Sequence, residues 1–467
     1  PFFDPVAGDF KVLYLQDFRP NPEGTYHPIW GVSTKDAAHY TALGELVSCG
    51  TLKSQDAAIG TGSTIYDEAS KLYYTFYTGN KYKPTGDESA QVVMVATSAD
   101  FKTWTKDRTF LLKGQDFGYD KNDFRDPFVF KGDDGKFHML ISTKKGGKGS
   151  LAEFVSDDLK NWTDNGVFMT MMWDRFYECP DLFKMGDYWY LVYSEIHHAV
   201  RRVQYFKGRT LDELKACTAN DVARWPDAHE GFLDSRGLYA GKTASDGTNR
   251  YLWGWCPTRS GKDNTAVGAS PAEPEWAGNL VCYKLIQHED GTLTLGQVDA
   301  VSEKYNQDVA VEVKESQNMT EADGTYTLAG SVEQPDAYML MGRLGSHNKI
   351  SFTVTTSNEW DKFGISMVRG SDSKKYYTMV VNPENENNRK VNFEEQGVEG
   401  KGFIAGIDGY VFARPADNVY NITIYTDNSI CVMYINDVCS YTNRIYGIQK
   451  NCWSINSYNG ANVKISN

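Results

Sequence analysis

Aromatic and apolar residues recur in five short runs along the first 300 positions of the chain, and each run has the length of a β-strand. The runs begin at intervals of 62, 65, 51 and 62 residues. Turn-forming residues precede four of them, which predicts that each run is the second strand of a β-hairpin. The five runs are FKVLYLQD from Phe10, LYYTFYTG from Leu72, FHMLISTK from Phe137, YWYLVYSE from Tyr188 and RYLWGWCP from Arg250.

A second repeated element follows three of these runs and consists of a Ser, an Asp two or three residues later, and then an aromatic residue. The three copies are STKDAAHY from Ser33, SADFKTW from Ser98 and SDDLKNW from Ser156. A strand-rich repeat of about 60 residues is typical of a four-stranded propeller blade. We therefore predict an all-β protein in which residues 1–305 form a five-bladed β-propeller. The alternative is a sandwich in which the similarity between the segments is accidental.

The rest of the chain alternates apolar and polar residues with the period of half-buried strands. The clearest segments are KISFTVTT (Lys349–Thr356) and YNITIYTD (Tyr420–Asp427). Since 467 residues exceed the size of one ordinary domain, we predict a second domain over residues 306–467, a jelly-roll-like β-sandwich. We expect the boundary between Lys304 and Val313.

Composition narrows the functional classes. The net charge of −13 disfavours nucleic acid or an anionic membrane as a partner. No run of about 18 apolar residues occurs, so no membrane-spanning helix is predicted. The eight cysteines include no C-x-x-C pair, which argues against a zinc or redox site. We expect neither a metal nor an organic cofactor.

Two acidic residues occupy matching positions of the repeat. Counting back ten or eleven residues from the third and fourth runs gives Asp126 and Glu178. The same count from the second and fifth runs gives Thr61 and Tyr239, which we predict to be substrate-binding residues. Because the first strand of each propeller blade lines the central axis, the two carboxylates are expected to converge on one axial pocket.

Paired carboxylates of this kind suit the cleavage of a glycosidic bond. That reaction needs a proton donor with a raised pKa and a second carboxylate. Glu178 lies among Tyr177, Cys179 and Pro180, an apolar setting that favours a protonated acid. Arg125, directly before Asp126, is suited to hold a carboxylate or sugar hydroxyls.

These residues resemble the motifs of glycoside hydrolase family 32, the β-fructosidases that include invertases, inulinases and levanases. The matching segments are Arg125-Asp126-Pro127, ECPDLF (Glu178–Phe183), LYAGKT (Leu238–Thr243), LWGW (Leu252–Trp255) and, near the end of the chain, DNSICVMYIN (Asp427–Asn436). The resemblance implies that Glu178 is the general acid/base, and that Asp126 holds the sugar hydroxyls and stabilises the transition state. It also implies a C-terminal sandwich that supports the propeller without taking part in the chemistry.

The resemblance further implies hydrolysis of β-fructosidic bonds in sucrose, inulin or levan, with retention through a fructosyl-enzyme intermediate. The nucleophile of the family is the Asp of an N-D-P-N type motif, and here only FFDPV, with Asp4, is similar. Asp4 lies six residues before Phe10, too close to match the position of Asp126. We therefore expect Asp4 in a hairpin turn away from the axis, and the nucleophile before Pro1. A carboxylate of Asp4 within about 6 Å of that of Glu178 would contradict this expectation.

Other functions remain open from the sequence. The same propeller could cleave arabinan or xylan, or transfer fructosyl groups instead of hydrolysing them. A non-catalytic glycan-binding protein with this fold is a third alternative, because the chain shows no convincing nucleophile. Export from the cytoplasm is expected from an action on polysaccharides.

Overall fold

A computed structural model of the chain describes residues 1–16, 27–171, 176–195, 202–221, 231–258, 278–369, 376–383, 390–396, 410–412 and 414–467. These residues form 33 strands, and the only helices among them are α1 (Leu211–Asp221), α2 (Asp299–Ser302) and a 3-10 turn at Gly114–Phe117. The prediction of an all-β protein is therefore confirmed.

Five small antiparallel sheets follow one another along the chain, and in each of them every strand pairs with the next. Sheet 1 contains β1 (Phe2–Asp4), β2 (Asp9–Leu15), β3 (Ile29–Thr34) and β4 (Thr41–Val47). Sheet 2 contains β5 (Ala58–Asp67), β6 (Leu72–Asn80), β7 (Gln91–Ser98) and β8 (Thr105–Leu112). Sheet 3 contains β9 (Phe124–Lys131), β10 (Phe137–Lys145), β11 (Lys148–Ser156) and β12 (Thr163–Thr170). Sheet 4 contains β13 (Tyr177–Met185), β14 (Tyr188–Glu195) and β15 (Arg202–Gly208), and sheet 5 contains β16 (Tyr239–Ser245), β17 (Arg250–Pro257), β18 (Gly278–Gln287) and β19 (Leu293–Gly296).

The hydrophobic runs of the sequence are the second strands of these sheets, as predicted: β2, β6, β10, β14 and β17. The Ser-Asp element is a turn that follows the third strand of sheets 1 to 3. In each copy a hydroxyl at the end of the strand donates to the Asp, whose carboxylate accepts two backbone N–H groups two and three residues later. In sheet 1 the hydroxyl belongs to Thr34, not to Ser33.

Consecutive sheets share hydrophobic cores, and the series returns to its start. Each pair of consecutive sheets, from sheets 1 and 2 through to sheets 4 and 5, encloses a cluster of buried side chains. A further cluster joins sheet 5 to sheet 1, where Phe10 of β2 packs against Trp253 of β17. The first strands follow the same order, because β5 contacts β9, β9 contacts β13, β13 contacts β16, and β1 contacts both β16 and β5.

The remaining strands form two seven-stranded sheets. Sheet 6 has the order β20-β23-β32-β25-β26-β27-β28 and sheet 7 the order β21-β22-β33-β24-β29-β30-β31. Their strands are β20 (Val313–Gln317), β21 (Met319–Ala322), β22 (Thr325–Ala329), β23 (Ala337–Arg343), β24 (His347–Thr356), β25 (Lys362–Arg369), β26 (Tyr376–Asn382), β27 (Lys390–Gln396), β28 (Tyr410–Val411), β29 (Val419–Asp427), β30 (Ile430–Ile435), β31 (Cys439–Arg444), β32 (Cys452–Tyr458) and β33 (Asn462–Ser466). One large apolar core contains side chains from both sheets. The two alternating segments of the sequence lie in β24 and β29, which pair with each other.

Sheet 7 is joined to the earlier sheets through the segment before β16. The buried carboxylate of Asp234 accepts hydrogen bonds from the Ser440 hydroxyl at 2.9 Å and from the backbone N–H and hydroxyl of Thr442, each at 2.7 Å. Arg444 donates to the carbonyl oxygens of Cys256 and Pro257 at the end of β17. These contacts hold sheet 7 against sheet 5.

Candidate active site

The first strands of sheets 2 to 5 each carry one extra residue opposite the second strand, a β-bulge. Three bulges begin directly after the residues Arg125, Glu178 and Tyr239. The next residue has a positive φ in each: 57° at Asp126, 52° at Cys179 and 53° at Ala240. A bulge bends the strand and redirects its side chains, so the same distortion occurs at the same point of three neighbouring sheets.

The strand pairing shows that the two acids do not occupy equivalent positions of the repeat, as was predicted, but positions one residue apart. Glu178 occupies the position of Arg125, and Asp126 occupies the position of Cys179. Counting along the sequence failed because the hairpins differ in length. Five residues separate the paired residues Lys131 and Phe137 in sheet 3, whereas two separate Met185 from Tyr188 in sheet 4.

The two acids nevertheless meet, because β9 and β13 lie side by side. The Asp126 carboxylate accepts a hydrogen bond of 2.9 Å from the backbone N–H of Cys179, the residue after Glu178. Asp126 is 4% exposed, and its pKa is raised by burial and by the Glu178 carboxylate, with Arg125 opposing the shift. Burial, together with Asp126 and Glu178, also raises the pKa of the Cys179 thiol well above its ordinary value.

Glu178 is held by donors from the sheets on both sides. Arg125 Nη2, from sheet 3, lies 2.8 Å from Glu178 Oε1. The Tyr239 hydroxyl, from sheet 5, donates to Glu178 Oε2 at 2.5 Å. Glu178 is 8% exposed, so both carboxylate oxygens are fixed in a nearly buried setting. Three residues predicted separately from the sequence therefore form one hydrogen-bonded group.

Thr61, the predicted residue of sheet 2, reaches this group through Thr78. The Thr78 hydroxyl donates to the Thr61 carbonyl oxygen at 2.9 Å and accepts the backbone N–H of Asp126 at 2.9 Å. Thr61 is the bulge residue of β5, between the paired residues Gly60 and Gly62. All five predicted site residues thus lie where the first strands of sheets 2 to 5 meet.

Lys242 is a residue of this site that sequence reasoning missed. It lies in β16, three residues after Tyr239, and is 7% exposed. Its ammonium group donates to the Gly62 carbonyl oxygen of β5 at 3.3 Å and favours the charged form of Asp126. The count along the repeat ended at Tyr239, and Lys242 lies three residues further along the same strand. Its spacing from Tyr239 was the available signal.

Asp4 is the last residue of β1, where it pairs with Asp9 of β2 and closes the hairpin, as expected. Its Oδ1 accepts hydrogen bonds from the backbone N–H groups of Val6 and Ala7 and from the hydroxyl of Tyr73. Its Oδ2 lies 3.7 Å from Lys11 Nζ. Asp4 is 1% exposed, and these contacts tie its side chain to the turn and to β6 of sheet 2.

Within the residues that the structure describes, no group of three or more His, Cys, Asp or Glu side chains is arranged to hold a metal ion. No helix in that part of the chain is long and apolar enough to cross a membrane. All eight cysteines lie in it, and none of them forms a disulfide.

Curated relatives match part of the chain at low identity. The insoluble isoenzyme CWINV2 of beta-fructofuranosidase from Arabidopsis thaliana is 26% identical over 58% of this chain and 48% of its own length. Sucrose-6-phosphate hydrolase from Vibrio alginolyticus is 28% identical over 40% of this chain and 37% of its own length. The chain thus spans less than half the length of these two relatives.

Solved structures share the fold over nearly the whole chain. Sucrose-6-phosphate hydrolase from Lactobacillus gasseri covers 99% of this chain and 88% of its own, with a TM-score of 0.69 and 18% identity. The Bombyx mori GH32 beta-fructofuranosidase BmSUC1, as a mutant in complex with sucrose, covers 98% and 88%, with a TM-score of 0.68 and 17% identity. Exo-inulinase from Aspergillus awamori covers 98% and 93%, with a TM-score of 0.69 and 15% identity.

Family models account for the sequence from residue 6 to its last residue. The model of the glycosyl hydrolases family 32 N-terminal domain matches residues 6–298. The model of the GH32, BT1760-like, C-terminal domain matches residues 291–467. The first match alone covers more than half of the chain and contains every residue of the site described above. The chain therefore belongs to glycosyl hydrolases family 32.

Proposed function

We propose that this protein hydrolyses β-fructosidic bonds in sucrose or fructans, with Glu178 as the general acid/base. The observation that carries the proposal is the fixed carboxylate of Glu178, held by Arg125 and Tyr239 beside the second acid Asp126. Such a group can present one oxygen to a glycosidic bond in a defined direction, which is what protonation of a leaving group requires.

In this proposal Glu178 protonates the leaving-group oxygen and then activates the water that releases fructose. Asp126, Arg125, Thr61 and Tyr239 line the fructose-binding pocket, where Asp126 binds the hydroxyls of the ring. Retention requires a nucleophilic carboxylate about 5–5.5 Å from that of Glu178. Asp4 is left out of this chemistry, because its carboxylate is occupied by the turn and by Tyr73.

We also propose that residues 1–305 are a five-bladed β-propeller and that residues 306–467 are a supporting β-sandwich. The first part is supported by the cyclic order of shared cores, in which sheet 5 packs against sheet 1. The second part is supported by the single apolar core that contains side chains of sheets 6 and 7. In the propeller, the four bulges of sheets 2 to 5 surround the axis.

Fructose-containing oligo- and polysaccharides are the proposed substrates. The Bombyx mori structural relative is solved with sucrose, and the Aspergillus awamori relative is an exo-inulinase. Assays of sucrose, inulin and levan beside arabinan and xylan test this choice. Activity on arabinan or xylan alone would refute it, and fructosylated products in place of free fructose would assign transfer instead of hydrolysis.

The decisive experiment replaces Glu178 by Gln. The variant keeps the size of the side chain, so we expect fructose release to be abolished while circular dichroism and Tm stay close to wild type. Glu153→Gln is the matched control, because Glu153 is also a strand Glu with 8% exposure but binds His138 and Asn165. Equal activity of the Glu178→Gln variant and the wild type would overturn the assignment.

Export from the cytoplasm is proposed from the substrate class, since fructan polymers are encountered outside the cell. The Arabidopsis relative is an insoluble isoenzyme, whereas the bacterial relatives include sucrose-6-phosphate hydrolases. Fractionation of the producing cells, with an antibody against this chain, tests the proposal. Recovery in the cytoplasmic fraction alone would contradict it.

A further inference from the structure

The guanidinium group of Arg125 has contacts at both terminal nitrogens and on one face, and only one of them is with Glu178. Nη2 lies 2.8 Å from Glu178 Oε1. Nη1 lies 2.7 Å from Asp123 Oδ1 and 3.3 Å from Gln91 Oε1. The face of the guanidinium stacks on the ring of Phe176, with 3.9 Å between Cζ and the ring centroid. The direction of Nη2 is therefore set by what holds Nη1.

Gln91 is the residue among these that connects sheet 2 to the site. It begins β7, and its Oε1 accepts both Arg125 Nη1 and the backbone N–H of Phe124, the latter at 3.1 Å. Its Nε2 donates to Asn80 Oδ1, at the end of β6, at 3.0 Å. All the polar atoms of the Gln91 side chain are therefore used, and they fix the amide in one orientation.

We propose that Gln91 is a positioning residue for catalysis, which holds Arg125 so that its guanidinium directs the carboxylate of Glu178. The inference rests on the proposed role of Glu178 as the acid/base. A chain of hydrogen bonds runs from Asn80 through Gln91 and Arg125 to Glu178, with lengths of 3.0, 3.3 and 2.8 Å, and its longest link is the one between Gln91 and Arg125.

Asp123 holds the same nitrogen of Arg125, but in a different setting from Gln91. Its carboxylate is shared between Arg125 and Lys144, whose Nζ lies 3.3 Å from Oδ2. Its side chain is 30% exposed, so water and salt compete with the partly buried ion pair that it forms with Arg125. Gln91 adds a neutral acceptor that is itself fixed at its far end by Asn80.

The test is Gln91→Met, which keeps the length of the side chain and removes the acceptor. We expect kcat on sucrose to fall on the order of 10-fold with little change in KM, because misdirection of the acid affects the transition state more than binding. An aryl β-fructofuranoside with a good leaving group needs less protonation, so kcat/KM for this substrate, which reports the step that breaks the glycosidic bond, should fall much less. Gln91→Asn, which shortens the amide by one methylene group, should show the same direction and guards against a folding defect.

Gln55→Met is the matched control. Gln55 is another partly buried Gln at sheet 2, whose Nε2 donates to the carbonyl oxygens of Gly79, Ser89 and Ala90 and not to Arg125. We expect it to lower Tm while any change in kcat/KM is the same for sucrose and for the aryl substrate. Equal losses of kcat/KM on both substrates for the Gln91 variants, or no loss, would overturn the inference. If the Glu178→Gln variant is inactive in the same assays, the proposed function still stands. Full activity of Glu178→Gln would instead overturn the proposed function.

Discussion

Asp4 and Asp67 close equivalent hairpins at the ends of the first strands of sheets 1 and 2. Each carboxylate accepts backbone N–H groups two and three residues later. Each carbonyl oxygen accepts the N–H four residues later, from Gly8 and Lys71, which both have positive φ. In β5 this position lies six residues beyond the bulge residue Thr61. Asp4 therefore occupies the turn end of its strand, not the level of the bulges.

Asp4→Ala should destabilise the protein without a specific loss of catalysis. The change removes the acceptor of two turn N–H groups and leaves the buried hydroxyl of Tyr73 without it, so we expect a loss of about 2 kcal/mol or more in the free energy of unfolding. Urea denaturation measures this loss, and the kcat of the folded fraction should stay near wild type. Asp67→Ala is the matched control, because it removes the same two turn hydrogen bonds at an exposed turn, and we expect it to cost less stability. A fall in kcat of more than about 100-fold with unchanged stability would restore Asp4 as a catalytic candidate.

Tyr239→Phe should lower kcat on sucrose by about 10- to 100-fold with little change in KM. The variant removes the donor to Glu178 Oε2 and nothing else from the contacts of that carboxylate. Tyr283→Phe is a suitable control, because it also removes a hydroxyl hydrogen bond from a buried tyrosine, but at Thr442 on the side of sheet 7. Steady-state kinetics of both variants test this prediction. Similar kcat values for the two variants would show that Tyr239 has no role in the mechanism.

The turn Asp residues predict part of the acid sensitivity of the fold. Backbone N–H groups of Asn161 and Lys160 lower the pKa of Asp158 to about 2. A carboxylate whose pKa is lower in the folded state stabilises that state above its unfolded pKa, and this contribution disappears as the pH falls from about 4 to 2. Urea midpoints at pH 6 and pH 3 should therefore differ less for Asp158→Asn than for wild type.

Asp157→Asn is the control for this measurement. The neighbouring carboxylate contacts Lys136 at 3.8 Å and lies outside the turn hydrogen bonds. We expect its pH dependence to follow wild type. If the two variants respond alike, the turn does not account for the acid sensitivity.

Asp234→Ala should weaken the attachment of sheet 7 to sheet 5. The variant leaves the Ser440 and Thr442 donors without their buried acceptor, and the loss of one buried charged partner commonly costs about 3 kcal/mol or more. Calorimetry should show a lower Tm, and the single transition should split if sheets 6 and 7 then unfold by themselves. An unchanged thermogram would show that apolar packing alone holds the two parts together.

The sequence predicted the repeating parts of the fold well, because hydrophobic runs and turn residues carry local signals. The second strands from Leu72 and Phe137 were found where they had been expected, and the repeated Ser-Asp element at Asp158 is a turn. The predicted equivalence of Asp126 and Glu178 in the repeat was wrong by one residue. A bulge and a hairpin loop both change the number of residues along a strand pair, and neither has a clear signal in the sequence. Gln91 and Thr78 were missed for a related reason. Their role comes from the neighbouring sheet that they face, and no local pattern records which sheet that is.

The contact between Phe10 and Trp253 has a kinetic consequence. The two rings lie 5.3 Å apart although 243 positions separate them in the chain. Closing such a long loop costs conformational entropy that no local contact offsets. The seam, that is, the apolar contact between sheets 1 and 5, should therefore form late during folding. Interactions absent from the folding transition state mainly control the unfolding rate. The seam is therefore the place where added apolar contacts should lengthen the lifetime of the native protein without a change in the rate at which it folds.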